Sequence, residues 1–323
     1  MTALLRRLLG GRPPTWSLAA LGIAVTALAT ASVTATVDRD ALRGAVDAAL
    51  GDPSGWVLLV AALAAAFTLR ALAWRRVLPG LPIGQALAAI HLSLGANHVL
   101  PLRLGEGARV ASVLRRTDLA VAPVTASAIA LRVGDVLTLV AVGIVAAPAA
   151  FGHLLGPWGA AAVGLLAVVA AGAWLWLGRL VRAGRAVTRP GGTALALTAS
   201  AWLLEAVAVW QALRWSGIDV TPRGALLVTA AAVTAQVAAI APSGFGTYEA
   251  AAVAALATLG HSPGTALAAA LTTHAAKTAY SLVTGAVALV VPFPGLLRRR
   301  AQQGPAPSEP APGAAVEVAI SSP

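Results

Sequence analysis

The chain has no cysteine, one methionine, two tyrosines and a single lysine among its 23 basic residues. Without cysteine there can be no disulfide, thiolate metal site or cysteine nucleophile. Charge is scarce as well. Only 11% of the 323 residues are Asp, Glu, Lys or Arg, against about 25% in a soluble domain. Hydrophobic residues make up 58% and mean hydropathy is +0.81. So few charges cannot cover a water-facing surface, which excludes a soluble globular fold and leaves an all-α polytopic membrane protein. The five histidines show no metal-ligand spacing, and no aspartate-rich or nucleotide-binding loop is present, so no metal or cofactor is expected. The net charge of +11 would suit nucleic acid. The arginines instead sit in short clusters between apolar runs, which is the topogenic pattern of a membrane protein, and no nucleic-acid partner is expected.

Apolar runs long enough to span are Ser17–Val37, Gly55–Trp74, Val121–Ala147, Trp158–Gly178, Gly192–Leu213 and Pro263–Val291. The first could also be a cleaved signal peptide, but its 21 residues exceed the ~7–15 of an ordinary signal core. Two more stretches, Ile83–Leu100 and Gly224–Ala241, end at a proline and a glycine-rich turn and continue as Gly105–Arg116 and Gly246–Leu259. Helices broken in this way read as re-entrant hairpins. With the N-terminus inside, cytoplasmic segments hold fourteen arginines and outer segments four, a strong positive-inside bias. The expected architecture is about six transmembrane helices plus two re-entrant helical hairpins, with both termini cytoplasmic. The segment 38–53 reads as an outer interfacial helix. The membrane domain covers 1–292, and the proline-rich tail 293–323 is expected to be disordered.

The two broken stretches resemble each other. Pro82 and Pro222 are offset by 140 residues, Pro101 and Pro242 by 141, and the pair Arg132/Asp135 from His274/Lys277 by 142. Each turn keeps proline, glycine and then glutamate. Two units, 55–147 and 192–291, enter from opposite sides and form an inverted repeat, a recurrent transporter architecture.

Charges within the apolar segments are expensive in lipid, about 2.5–3.5 kcal/mol or more each. They are Arg103, Glu106, Arg109, Arg132, Asp135, Glu205, Glu249, His274 and Lys277. Helix N-termini at Gly105 and Gly246 favour anions. With Arg103, Arg109, Arg132 and Lys277 they predict a mostly cationic, wet cavity suited to a phosphate-bearing headgroup. Lys277 is the sharpest candidate. Glu106 and Glu249 either neutralise helix N-termini or take a direct role. Arg132 and Asp135 form either a structural pair or part of the site. His274 is either a hydrogen-bonded core histidine or a proton carrier. Glu205 is either a helix–helix contact or a coupling-ion site. Arg70 is expected to snorkel toward Arg75 and Arg76, and Arg109 either snorkels or faces the cavity. His91, Asn97 and His98 are expected to satisfy backbone groups freed by the break. Tyr248 and Phe245 either pack the second turn or line an acyl path.

At these residues the sequence resembles a known family. Asn97-His-Val-Leu-Pro-Leu-Arg-Leu-Gly-Glu-Gly-Ala-Arg109, Leu131-Arg-Val-Gly-Asp135 and Ala241-Pro-Ser-Gly-Phe-Gly-Thr-Tyr-Glu249 look like signatures of the lysylphosphatidylglycerol synthase transmembrane region, the flippase domain of the multiple peptide resistance factor. The resemblance implies a multi-pass plasma-membrane protein that moves lipids between leaflets. It assigns substrate contact to Arg103, Glu106, Arg109, Arg132, Asp135, Pro242, Gly244, Gly246 and Glu249. His274 stands where an arginine is more usual. No aminoacyl-transferase domain is legible, so aminoacyl-phospholipid synthesis is not expected. The expected function is a flippase-like transporter whose partners are membrane lipids with an anionic headgroup, and not an enzyme. The alternatives are a membrane-embedded transferase using Glu106, Glu249 and Asp135 as acid and base, a non-catalytic scaffold, or an ion carrier.

Overall fold

The computed structural model describes residues 35–100, 104–146, 190–237 and 242–290, with scattered positions between 148 and 188. Among these residues all regular structure is helical and no strand occurs. The expected spans Ser17–Val37 and Trp158–Gly178 and the tail lie outside the described residues, apart from isolated positions.

Helix α1, Arg39–Leu50, starts where the Asp38 carboxylate accepts from the N–H groups of Asp40 and Ala41 at 3.1 and 3.0 Å. It buries only Ala45 and Ala49 and leaves Leu50 exposed. Helix α2, Pro53–Val77, begins at the Asp52 cap with proline in its first turn and ends on Arg75 and Arg76. Then come α3, Ile83–Val99; α4, Gly105–Arg116; and α5, Val121–Ala146. The second set is α6, Gly192–Trp215; α7, Pro222–Val237; a single 3₁₀ turn, Pro242–Gly244; α8, Thr247–Thr258; and α9, Pro263–Val290. Among the described residues α2, α5 and α6 are long and apolar enough to cross a membrane by length and composition. Helix α9 has 28 residues, roughly 42 Å at ~1.5 Å per residue. Helices α4 and α8 have 12 each and are too short to span alone.

The sequence breaks at Pro101 and Pro242 therefore separate short second helices from the stretches before them. The first hairpin closes because Asn97 Oδ1 accepts from Gly105 N–H at 2.9 Å, occupying a donor that the start of a helix leaves free. Gly105 is required by proximity: a Cβ there would lie 2.5 Å from the same Asn97 oxygen and also against the Ser93 carbonyl. In the second hairpin Gly246 N–H donates to Glu249 Oε2 at 2.6 Å.

The packing pairs the two quartets of helices. Helix α3 packs on α9, and α7 packs on α5. Helices α4 and α5 touch, as do α8 and α9; α2 meets α3 and α5 as α6 meets α7 and α9. Helices α2 and α6 lie against each other over much of their length. These contacts have counterparts when the quartets are exchanged, but α6 also packs on α5 more extensively than α2 packs on α9. At the α3–α9 crossing a Cβ on Gly285 would sit 2.8 Å from the Gly95 Cα, so two glycines set the approach.

The start of α2 is tied to the end of α6. Asp52 accepts from Ser54 Oγ at 2.6 Å, Gly55 N–H at 2.8 Å, Trp215 Nε1 at 2.9 Å and Gln211 Nε2 at 3.0 Å. These donors favour its charged form, the Ser54 hydroxyl most, and hold its carboxyl down at about 2. A depressed carboxyl contributes stability above its unfolded value, about 4, and loses it as pH falls toward the folded value. Asp52→Asn should therefore lower the thermal midpoint in detergent at pH 7. The gap from the parent should close between pH 4 and pH 2, which paired melting curves at several pH values would show.

Candidate functional site

Between the two quartets lies a cavity of about 120 Å³ whose wall combines charged groups from both. The first quartet supplies Arg70 on α2, Glu106 and Arg109 on α4, and Arg132 and Asp135 on α5; the second supplies Glu205 on α6 and Lys277 on α9. Arg70 bridges the quartets. Its Nε lies 3.2 Å from Asp135 Oδ1 and its Nη2 3.0 Å from Glu205 Oε2. Its guanidinium stands 4.1 Å from the Trp202 ring centre. Glu205 also receives Lys277 Nζ at 2.7 Å. Arg132 lies 3.3 Å from Asp135 Oδ2 and 3.9 Å from Glu106 Oε1. Arg109 lies 3.9 Å from Glu106 and stacks over Trp74 at 4.0 Å.

Two expectations change. Arg70 does not snorkel toward Arg75 and Arg76: its side chain is 11% exposed, because two carboxylates inside the bundle attract it more strongly than distant headgroups could. The wall is not mostly cationic. Among the described lining residues Arg70, Arg109, Arg132 and Lys277 face Glu106, Asp135 and Glu205, which leaves an excess of one positive charge. Glu205 holds Lys277 at 2.7 Å. Arg109 faces the cavity instead of snorkelling. Arg103 and Pro101 lie outside the described residues.

Other expected residues fall around this wall. Asn97 satisfies a freed backbone donor, as expected. His91 and His98 each bond through Nδ1 to a carbonyl one turn back on α3, those of Leu87 and Leu94, and His91 Nε2 meets the Tyr280 hydroxyl at 3.1 Å. Tyr248 and Gly244 line the cavity. Pro242 opens the second turn, and Gly246, at φ 86°, caps α8. Glu249 is buried behind the wall, with Oε1 2.5 Å from His274 Nδ1. His274 Nε2 faces Ser243 Oγ at 2.6 Å.

Beside the polar cavity lies a second, apolar one of about 650 Å³. Its lining includes Leu42, Val46 and Leu50 of α1, Trp56, Trp215, Phe245 and Leu271. Ser243 and His274 border both cavities. Residues that the sequence did not single out for the site include Arg70, Ser243, Trp202, Tyr280 and the α1 side chains. Arg70 carried a signal as a charge within an apolar run.

Apolar helices enclosing buried charge define a helical membrane protein. Residues 19–285 match the family model described as the lysylphosphatidylglycerol synthase TM region, and the chain belongs to that family. No curated protein and no solved structure matches it.

Proposed function

We propose that the protein is a flippase-like transporter that moves a phospholipid or lipid-linked headgroup between leaflets through the central cavity. It would lie in the plasma membrane with six spans, two re-entrant hairpins and both termini cytoplasmic. Supporting this are the arginine asymmetry, the partly exchangeable packing of the quartets and the offsets of 140–142 residues between their motifs.

The observation that carries the reading is a buried charged cavity whose donors are not all used. Arg109 Nε and the Tyr248 hydroxyl have no hydrogen-bond partner among the described residues. Buried donors are rarely left so, and an anionic headgroup supplies acceptors. The carboxylates then act as placeholders: Glu106 and Glu205 lie against Arg132 and Lys277, and a phosphate replaces them. That exchange avoids moving the headgroup into an uncompensated positive field, and it lets lipid binding favour one arrangement of the quartets over another. The hydrocarbon chains stay in lipid or in the adjoining apolar cavity.

Translocation of a fluorescent phosphatidylglycerol in proteoliposomes tests this. The intact protein should accelerate leaflet exchange, and Arg132→Gln should slow it at least about tenfold, the loss of one charge-assisted contact. Exchange no faster than in protein-free vesicles would reject the proposal. A transferase reading predicts turnover of a labelled lipid without exchange.

A further inference from the structure

The second turn carries an arrangement that binding does not require. Ser243 is the one non-glycine with positive φ among the described residues, at φ 59° and ψ −7°. Its Oγ lies 2.6 Å from His274 Nε2. The other ring nitrogen, Nδ1, lies 2.5 Å from Glu249 Oε1. A carboxylate only accepts, so Nδ1 carries the hydrogen and Nε2 is left to accept the serine proton. Glu249 is itself fixed, because its Oε2 accepts from Gly246 N–H at 2.6 Å. A nucleophile in hydrogen-bond reach of a base, itself oriented by a third group, is the geometric signature of an activated serine. A serine held at positive φ on a tight turn is how such nucleophiles are presented.

Placement gives the substrate class. Ser243 and His274 form the wall shared by the charged cavity and the apolar one. In a lipid, the ester carbonyls lie between the polar headgroup and the hydrocarbon chains. A lipid with its headgroup in the first cavity and a chain in the second would bring an ester to that wall.

We propose that Ser243, His274 and Glu249 form an acyl-transfer centre acting on a carboxylic ester of a membrane lipid. Ser243 Oγ attacks the carbonyl carbon as its proton passes to His274 Nε2. The resulting oxyanion faces the turn, where the N–H of Gly244, the residue after the nucleophile, is the donor that such turns use. Collapse breaks the bond to the alcohol oxygen, which takes the proton from His274 and leaves as a lipid alcohol. Water, or the hydroxyl of a second lipid, then gives its proton to His274 and attacks the acyl-serine. Carboxylic acid or a new ester is released, and the proton returns to Ser243. Ser243 and His274 are the catalytic residues and Glu249 is a positioning residue. The inference does not rest on translocation, because serine reactivity can be read without any movement of lipid.

The test uses the full chain in detergent micelles with a hexadecyl fluorophosphonate and maps the adduct by peptide mass spectrometry. The expected adduct is on Ser243. It should be absent in Ser243→Gly, a replacement that also suits the turn's positive φ. It should form at least about 100-fold more slowly in His274→Gln. In Glu249→Gln the maximal labelling rate should fall, with the probe concentration for half that rate unchanged. A methyl fluorophosphonate should react at least tenfold more slowly than the hexadecyl probe if the apolar cavity takes the chain. A folded, unmutated protein that gives no Ser243 adduct would overturn the proposal without recourse to any variant. So would labelling at an equal rate in His274→Gln, and equal rates for the two probes would overturn the lipid-ester assignment.

Discussion

Arg70→Leu should destabilise the protein by about 3 kcal/mol. Losing one partner of a buried ion pair ordinarily costs about 3–5 kcal/mol, because the other charge stays behind uncompensated. Here Asp135 keeps Arg132 at 3.3 Å and Glu205 keeps Lys277 at 2.7 Å, which places the cost at the low end. Added to it is the stacking on Trp202 and Phe67, at 4.1 and 5.1 Å. Arg70→Lys should recover less than half of the loss. A single ammonium cannot meet two carboxylates from one plane while lying flat on an indole. Heat-induced aggregation of the purified variants in detergent measures this. A midpoint unchanged in Arg70→Leu would mean that the link between the quartets contributes little.

Lys277→Gln should slow lipid exchange by roughly ten- to a hundredfold, the worth of about 1.5–3 kcal/mol for a hydrogen bond to a charged group. The fold should survive, because Arg70 remains on Glu205 at 3.0 Å. Lys277→Arg should restore part of the rate. If the lysine serves only to neutralise Glu205, the double variant Lys277→Gln with Glu205→Gln should exchange lipid as fast as the parent. If it anchors the headgroup, the double variant should stay slow. The same proteoliposome assay separates the two.

The helices were legible because their signals are local. Apolar runs gave α2, α5, α6 and α9 to within a few residues. The break before Gly105 was visible as proline, glycine and glutamate in quick succession, and Asn97 closes it from only eight residues away. The charged residues of the site were also legible, since an ionisable group in an apolar run stands out. What could not be read was which charge meets which. Arg70 lies close in sequence to Arg75 and Arg76, and that proximity pointed outward. Its true partners are 65 residues away at Asp135 and farther still at Glu205, and no local pattern marks such a pairing. The balance of the cavity followed from the same gap: counting cations along the chain misses the carboxylates that fold onto them. Ser243 was hidden differently. Its base comes 31 residues later, and Pro-Ser-Gly-Phe-Gly lacks the glycine two residues before the serine that marks a nucleophile turn in sequence. Only the backbone at φ 59° and the histidine on α9 set it apart.

The central claim is that the two broken helix pairs bring their tips together inside the bundle around buried charge. His98, near the end of α3, and His274, on α9 against the second turn, have ring centres 6.3 Å apart. Because the chain has no cysteine, a His98→Cys, His274→Cys pair can be bridged on a clean background with a short bifunctional methanethiosulfonate in native membranes. The account predicts bridging within one chain, detected as a single intact mass carrying one linker. Both cysteines labelled singly and never bridged would contradict it.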